Sequence, residues 1–149
     1  MNGMSRVLAD SDVFSAAKRS WVMSRIRSES ELEREFRCLC WRAGLRGWRV
    51  HRRILGIKGD MVFGRAHVVV FLDGCFWHGC PRCYQRPRAN AAFWRRKLAC
   101  NQARDRRQSA QLRAAGWEVI RIRECDLSRR PALGVRTVAA AVRSRRQAG

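Results

Sequence analysis

A chain of 149 residues is the size of one domain, long enough to bury a core without disulfide staples. Its 46% apolar content argues against a disordered chain, and its formal net charge of +20 demands a polyanionic partner, nucleic acid before membrane. No apolar run approaches a membrane span and no signal-peptide core is present, so the expected setting is the reducing cytoplasm, with no membrane partner. Lysine occurs only at positions 18, 58 and 97. Genome base composition produces the same arginine bias, so the inference rests on charge alone.

In chain order, Met1 to Asp12 reads as a flexible leader. Phe14 to Arg27 reads as a loosely amphipathic helix carrying Val22, Met23 and Ile26, broken at Ser28-Glu29-Ser30. Ser30-Glu31-Leu32-Glu33 has the form of a capping box, so a second helix is predicted from there, with Leu32, Phe36, Leu39, Cys40 and Ala43 as its core stripe and Gly44 at its end. Trp48 to Ile54 is a predicted strand, Leu55 to Gly59 a turn, and Asp60 to Phe63 a second strand. Gly64-Arg65 reads as a two-residue hairpin into a third strand, Ala66 to Asp73, whose Val68–Leu72 run is apolar enough for full burial. The segment from Gly74 to Arg88 reads as a loop holding Pro81 and Pro87. Asn90 is the expected cap of a long helix to Ala115, anchored by Phe93, Trp94, Leu98 and Leu112 and ended by Gly116. Trp117 to Arg123 alternates as a strand, and a basic C-terminal helix follows with Val135, Val138 and Val142 inward. The fold class is one α/β domain with a small mixed sheet.

Cys75, Cys80 and Cys83 fall within one loop, the last two as C-x-x-C, and Cys125 stands just past a strand end that can deliver a fourth thiolate. Zinc takes such a set in a tetrahedron; the alternative is four reduced thiols, an oxidation hazard. Cys38, Cys40 and Cys100 read as packing residues on helices.

A zinc closed by four cysteines has no open position, so catalysis needs other groups. If the strands around Asp60 and Asp73 form a hairpin, their ends bring both carboxylates together, with His78 immediately beyond. Such a trio can bind magnesium and handle a proton, as phosphodiester hydrolysis requires; the plainer alternative makes each Asp a turn cap. Glu33 is either the N3 residue of the capping box or a carboxylate facing that site. His51 and His67 lack metal-type neighbours and read as structural or surface residues. Phe76-Trp77 in a Gly-flanked loop, and Trp94 beside Arg95, Arg96 and Lys97, combine aromatic and basic groups as a base-stacking surface does. Trp41, Trp48 and Trp117 read as core.

Three segments together carry a resemblance: Asp73-Gly74-Cys75-Phe76-Trp77-His78-Gly79-Cys80; Phe93-Trp94 with Lys97, Asn101 and Arg104-Asp105-Arg106-Arg107; and Gly116-Trp117-Glu118-Val119 with Arg123-Glu124-Cys125. With the Arg19-Ser20, Met23, Ile26 opening, they resemble the Vsr-type very-short-patch repair DNA mismatch endonucleases from Lys18 to Leu127. The resemblance implies a leader at 1–17, an endonuclease domain at 18–127 and a basic tail at 128–149. It implies a restriction-endonuclease-like mixed central sheet flanked by helices, and a monomer that nicks DNA 5′ to the thymine of a T·G mismatch left by deaminated 5-methylcytosine. The setting implied is the bacterial cytoplasm at the nucleoid, with other mismatch-repair proteins as further partners.

The site residues so implied are Asp60 and the Leu72 carbonyl on magnesium, His78 activating water, and Glu33 and Asp73 around the metal. Zinc falls to Cys75, Cys80, Cys83 and Cys125. Phe76, Trp77 and Trp94 would wedge into the stack from the major groove and Met23 from the minor, while Lys97 and Asn101 touch the mismatch. The chain departs from the pattern with Gly59 where proline often precedes the aspartate, with Asp73 where some members carry histidine, and with Cys80 at a ligand position that other members fill with histidine. From charge and aromatics alone, two other classes remain open: a zinc-stabilised nucleic-acid-binding module without catalysis, and an RNA-associated basic protein.

Overall fold

Two buried runs, Met61–Phe63 and Val68–Phe71, mark where the sheet is sealed on both faces. The computed structural model describes the backbone of residues 16–149 and the side chains from Glu31 onward. The expected leader therefore lies outside the described residues through position 15, as does the Met23 side chain. The elements are α1 (Ala16–Arg42), β1 (Trp48–Val50), β2 (Arg53–Ile54), β3 (Ile57–Lys58), β4 (Met61–Phe63), β5 (Val68–Asp73), α2 (Cys75–His78), α3 (Ala91–Ala114), β6 (Glu118–Arg123), α4 (Glu124–Arg129) and α5 (Pro131–Gln147). The main sheet runs β1-β4-β5-β6, and β2-β3 form a separate hairpin.

β5 is central because both its neighbours pair with it over their length, β4 antiparallel and β6 parallel. Such a strand is covered on both faces, which is why it reads as a continuous apolar run and not an alternating one. Val68 and Val70 join Phe36, Met61, Ile122 and the α5 valines Val135, Val138 and Val142 on one face. Val69 and Phe71 meet Leu112 of α3 and Val119 on the other. The result is one mixed α/β domain with helices on both sides of its sheet. Among the described residues, no helix is long and apolar enough to cross a membrane.

Several local expectations are corrected. The two predicted N-terminal helices are one, α1, uninterrupted through Ser28–Glu33. Serine and glutamate cost little in a helix interior, whereas a break would expose two more sets of unpaired backbone groups, so the capping box is not used. The strand predicted over Trp48–Ile54 is split at His51, whose φ is 54°. The predicted turn over Leu55–Gly59 is shorter: Leu55 and Gly56, at φ 51° and 78°, close the β2–β3 hairpin with two positive-φ residues. Gly64–His67 is a four-residue connection because Ala66 is buried and its carbonyl accepts from Arg145 of α5 at 3.3 Å, which takes it out of the strand.

The loop after Gly74 opens with a helical turn, α2. Asn90 stands at the start of α3 but caps it by no side-chain bond. Phe93 is exposed, so Trp94 and Leu112 are the buried anchors of α3. Trp41 is 56% exposed, stacked edge-on to Trp48 with the Arg46 guanidinium 3.4 Å from its ring centre. Cys40 is a packing cysteine, but Cys38 and Cys100 are exposed.

Phe36 ties α1 to the sheet and is fully buried. Phe36→Ala is expected to lower the unfolding free energy by about 3–5 kcal/mol, read as a lower urea midpoint at unchanged slope.

Candidate active site and cysteine cluster

The hairpin of β4 and β5 brings Asp60 across from the end of β5. The Asp60 amide donates to the Val70 carbonyl at 3.1 Å, and the Leu72 amide donates to the Asp60 carboxylate at 2.7 Å. Burial pushes the Asp60 carboxyl above its usual range, opposed by that Leu72 bond and reinforced by the nearby charge of Asp73. Glu33 reaches the same place from α1, held at 3.6 Å by Arg37 one turn on. Its carboxyl is likewise raised, first by burial and then by the charge of Asp60. The capping-box role for Glu33 thus falls, and the site-facing one has a geometric basis. His51, expected to be structural or surface, lies close enough to oppose both shifts.

Asp60, Leu72, Asp73 and His78 open on one cleft of about 330 Å³. Two groups from distant segments complete it. Asp105 on α3 sits 2.5 Å from His78 Nδ1, and Arg121 on β6 donates to both oxygens of Asp73, at 2.9 and 3.2 Å. A carboxylate on Nδ1 favours the tautomer in which Nδ1–H donates and Nε2 carries the lone pair. His78 Nε2 then lies 3.8 Å from Asp73, on the side of the cleft. Arg121 also donates to Ser109 Oγ at 2.9 Å and lies over the Phe71 ring at 4.4 Å, so it joins β6, β5 and α3. Asp73 is committed to Arg121, an arrangement that suits a fixed charge better than a proton carrier.

The sulfurs of Cys75, Cys80, Cys83 and Cys125 all lie within 4.8 Å of one another. Cys80 and Cys125 are 3.7 Å apart, close to the roughly 3.8 Å edge of a tetrahedron with ~2.3 Å zinc–sulfur bonds. Burial pushes the Cys80 thiol up, but hydrogen bonds from the Arg82 and Cys83 amides and the adjoining thiols outweigh it and leave it at about 6. A thiol so easily ionised beside three others suits a soft divalent metal. The cluster is braced from α4, where Glu124 accepts from the Cys75 amide at 3.1 Å and Asp126 accepts from Arg82 at 2.6 Å.

Phe76 and Trp77 are half-buried on α2, and Trp94 is buried beneath them, 5.3 Å from Phe76 and 6.3 Å from Trp77 between ring centres. Trp94 is therefore the backing of the aromatic surface and not one of its projecting faces, a correction to its expected role. Lys97 is exposed beside it. Asn101 donates its amide to the Trp77 carbonyl at 3.0 Å, and Gln102 to the His78 carbonyl at 3.4 Å. Both groups on α3 hold the end of α2. Gly79 allows this approach: it has φ 61°, and a Cβ there would stand 2.7 Å from Leu98.

Comparison with known proteins agrees with this geometry. The family described as DNA mismatch endonuclease Vsr matches residues 11–85. The chain is 38% identical over 128 residues to the type II nicking enzyme V.XorIIP of Xanthomonas oryzae pv. oryzae, covering 84% of this chain and 93% of that one. It is 36% identical over 119 residues to the nicking enzyme V.NmeAIP of Neisseria meningitidis, covering 78% and 84%. To the DNA mismatch endonuclease Vsr of Escherichia coli K12 it is 34% identical over 125 residues, covering 82% and 79%.

Both raised carboxyls hold their protons more tightly in the folded chain than in the unfolded one. That contribution to stability is full below the ordinary values of 3.8 and 4.5 and is lost as pH rises through the raised ones. As pH rises through those raised values, ionising either carboxyl in the metal-free protein costs more in the folded chain than in the unfolded one. Asp60→Asn is expected to raise its Tm at pH 7 by about 2 °C, with the gain vanishing below pH ~4. A fall in Tm at pH 7 would show that the Leu72 bond outweighs the cost of burial.

Proposed function

The chain belongs to the DNA mismatch endonuclease Vsr family and is a DNA endonuclease, and on that premise we propose that it nicks one strand 5′ to the thymine of a T·G mismatch, with magnesium. The observation that carries this reading is the convergence of Asp60 with the His78–Asp105 pair on one cleft, one helical turn from Phe76 and Trp77. A mixed sheet with its acids at strand ends supports the restriction-endonuclease-like reading of the fold.

Asp60 and the Leu72 carbonyl are the groups suited to hold magnesium, with Glu33 at the edge of its shell. Burial and the charge of Asp73 raise the Asp60 carboxyl, and burial and the charge of Asp60 raise that of Glu33, a gathering of acids that fits a divalent cation. When bound, the ion supplies positive charge against that building on the phosphate oxygens. His78 Nε2 takes the proton of the attacking water. Asp105 keeps the imidazole in that tautomer and stabilises the imidazolium that follows. Arg121 fixes Asp73 beside the histidine. Cys75, Cys80, Cys83 and Cys125 would hold zinc as a full set of four thiolates, so its role there would be structural.

Phe76 and Trp77 wedge into the base stack from the major groove, with Trp94 as the support that keeps them from yielding. Inserting apolar side chains costs a few kcal/mol of unstacking per step, least at a mismatch, which gives the wedge a source of selectivity. Met23 enters from the minor groove, Lys97 contacts the mismatch, and Asn101 acts there chiefly by holding Trp77. The protein works as a monomer on duplex DNA in the bacterial cytoplasm at the nucleoid, alongside other mismatch-repair proteins.

On labelled duplexes with magnesium, a T·G substrate is expected to be nicked 5′ to the thymine and the matched T·A duplex left intact; equal cutting of both would overturn the specificity. His78→Ala and Asp105→Asn are each expected to lower kcat by about 10²–10⁴-fold with little change in DNA affinity. Unchanged kcat in His78→Ala would remove it as the base.

A further inference from the structure

At the end of the sheet opposite Asp60 lies a second groove, of about 730 Å³, lined by Arg46, Arg49, Arg52, Arg65 and Arg146 and by no carboxylate. It is also lined by Trp48, where β1 begins, Phe63, where β4 ends, and Trp117, which immediately precedes β6. Arg146 and Arg46 are structurally engaged: Arg146 donates to the Arg46 carbonyl at 3.2 Å, and Arg46 donates to the Trp41 and Leu45 carbonyls. Arg49, Arg52 and Arg65 are exposed and have no side-chain hydrogen bond or ion pair among the described residues. Like charges gathered without counter-charges repel, and the arrangement gains only when a polyanion enters.

The groove is joined to the cleft around Asp60. β1 is the edge strand of the sheet, and from Arg49 on it the exposed basic residues continue through Arg52 and Arg53 to Lys58. Arg53 and Lys58 themselves line the Asp60 cleft. β5, whose ends mark the two sites, is six residues long, so the sites lie roughly 20 Å apart at ~3.3 Å per residue. That span corresponds to about six base pairs of duplex at 3.4 Å each.

We propose that this groove binds the phosphate backbone of the same DNA duplex, about six base pairs away from the nick, with Arg49, Arg52 and Arg65 as its contacts. The proposal rests on the endonuclease activity and deepens it, by giving the enzyme a flank contact that carries no base information and sets the length of duplex it needs. An acidic peptide has the same charge, but the basic edge running from groove to cleft favours a single polymer that occupies both.

The test uses the full-length protein and a variant carrying Arg49→Gln, Arg52→Gln and Arg65→Gln. Binding and nicking are measured on two T·G duplexes, one ending about four base pairs beyond the mismatch on each side and one extending about twelve, at several salt concentrations. On the long duplex the variant is expected to bind at least tenfold more weakly, with a log–log salt slope shallower by about 2–3. On the short duplex both proteins should bind and nick alike, and three lysines at these positions should restore the long-duplex slope. Equal loss on both duplexes, or on neither, would overturn the proposal. So would a stoichiometry of two duplexes per protein, or competition by polyglutamate with no dependence on duplex length. If length dependence appears but T·G is not nicked, the groove stands and the mismatch reading falls.

Discussion

Everything at the candidate site depends on the parallel pairing of β5 with β6, in which Asp73 stands opposite Arg123. Two strands leaving a sheet together at that register send the chain after each into the same space. Cys75 follows one by two residues and Cys125 follows the other by two, which is why one thiol remote in sequence completes a cluster begun in a single loop. The same pairing puts Glu124 beneath the Cys75 amide and Arg121 against Asp73. A shift of register by one residue would turn Arg121 to the opposite face of the sheet and remove its ion pair.

α3 supplies the second support. Its Asn101 and Gln102 hold the last carbonyls of α2, its Trp94 backs Phe76 and Trp77, and its Asp105 meets His78. His78 is thus fixed from three directions: by α2, by α3, and by Asp73 with its arginine. The histidine, the aromatic pair and Cys75 share one short helix. A four-residue helix has no stability of its own, so its placement must come from the cysteine cluster on one side and α3 on the other.

Much of this was legible in the sequence because it rests on local pattern. The apolar run of β5, the strand after Gly116, the valines of α5, the C-x-x-C loop and the nearness of Asp60 to Asp73 all follow from period, turn residues or hairpin arithmetic. The missed parts lie where tertiary contact decides. Asp105 was visible only as one acid in a basic helix, and nothing local says that its turn faces His78. Arg121 reads as one of many surface arginines until β6 is paired with β5. Trp94 reads both as an anchor of its helix and, from its basic neighbours, as part of a stacking surface; on a helix those neighbours point elsewhere, and the anchor reading is the one that its burial supports. The serines before Glu33 suggested a helix start because the capping pattern carries no information on whether the chain upstream is already helical.

The central claim is that the cysteine cluster positions α2, and through it His78 and the aromatic pair. The most direct measurement is the nicking rate on a T·G duplex while zinc is titrated into reduced, metal-stripped protein at fixed, saturating magnesium. The account predicts little activity without zinc and a rise that saturates at one equivalent. Full nicking by the stripped protein would contradict it.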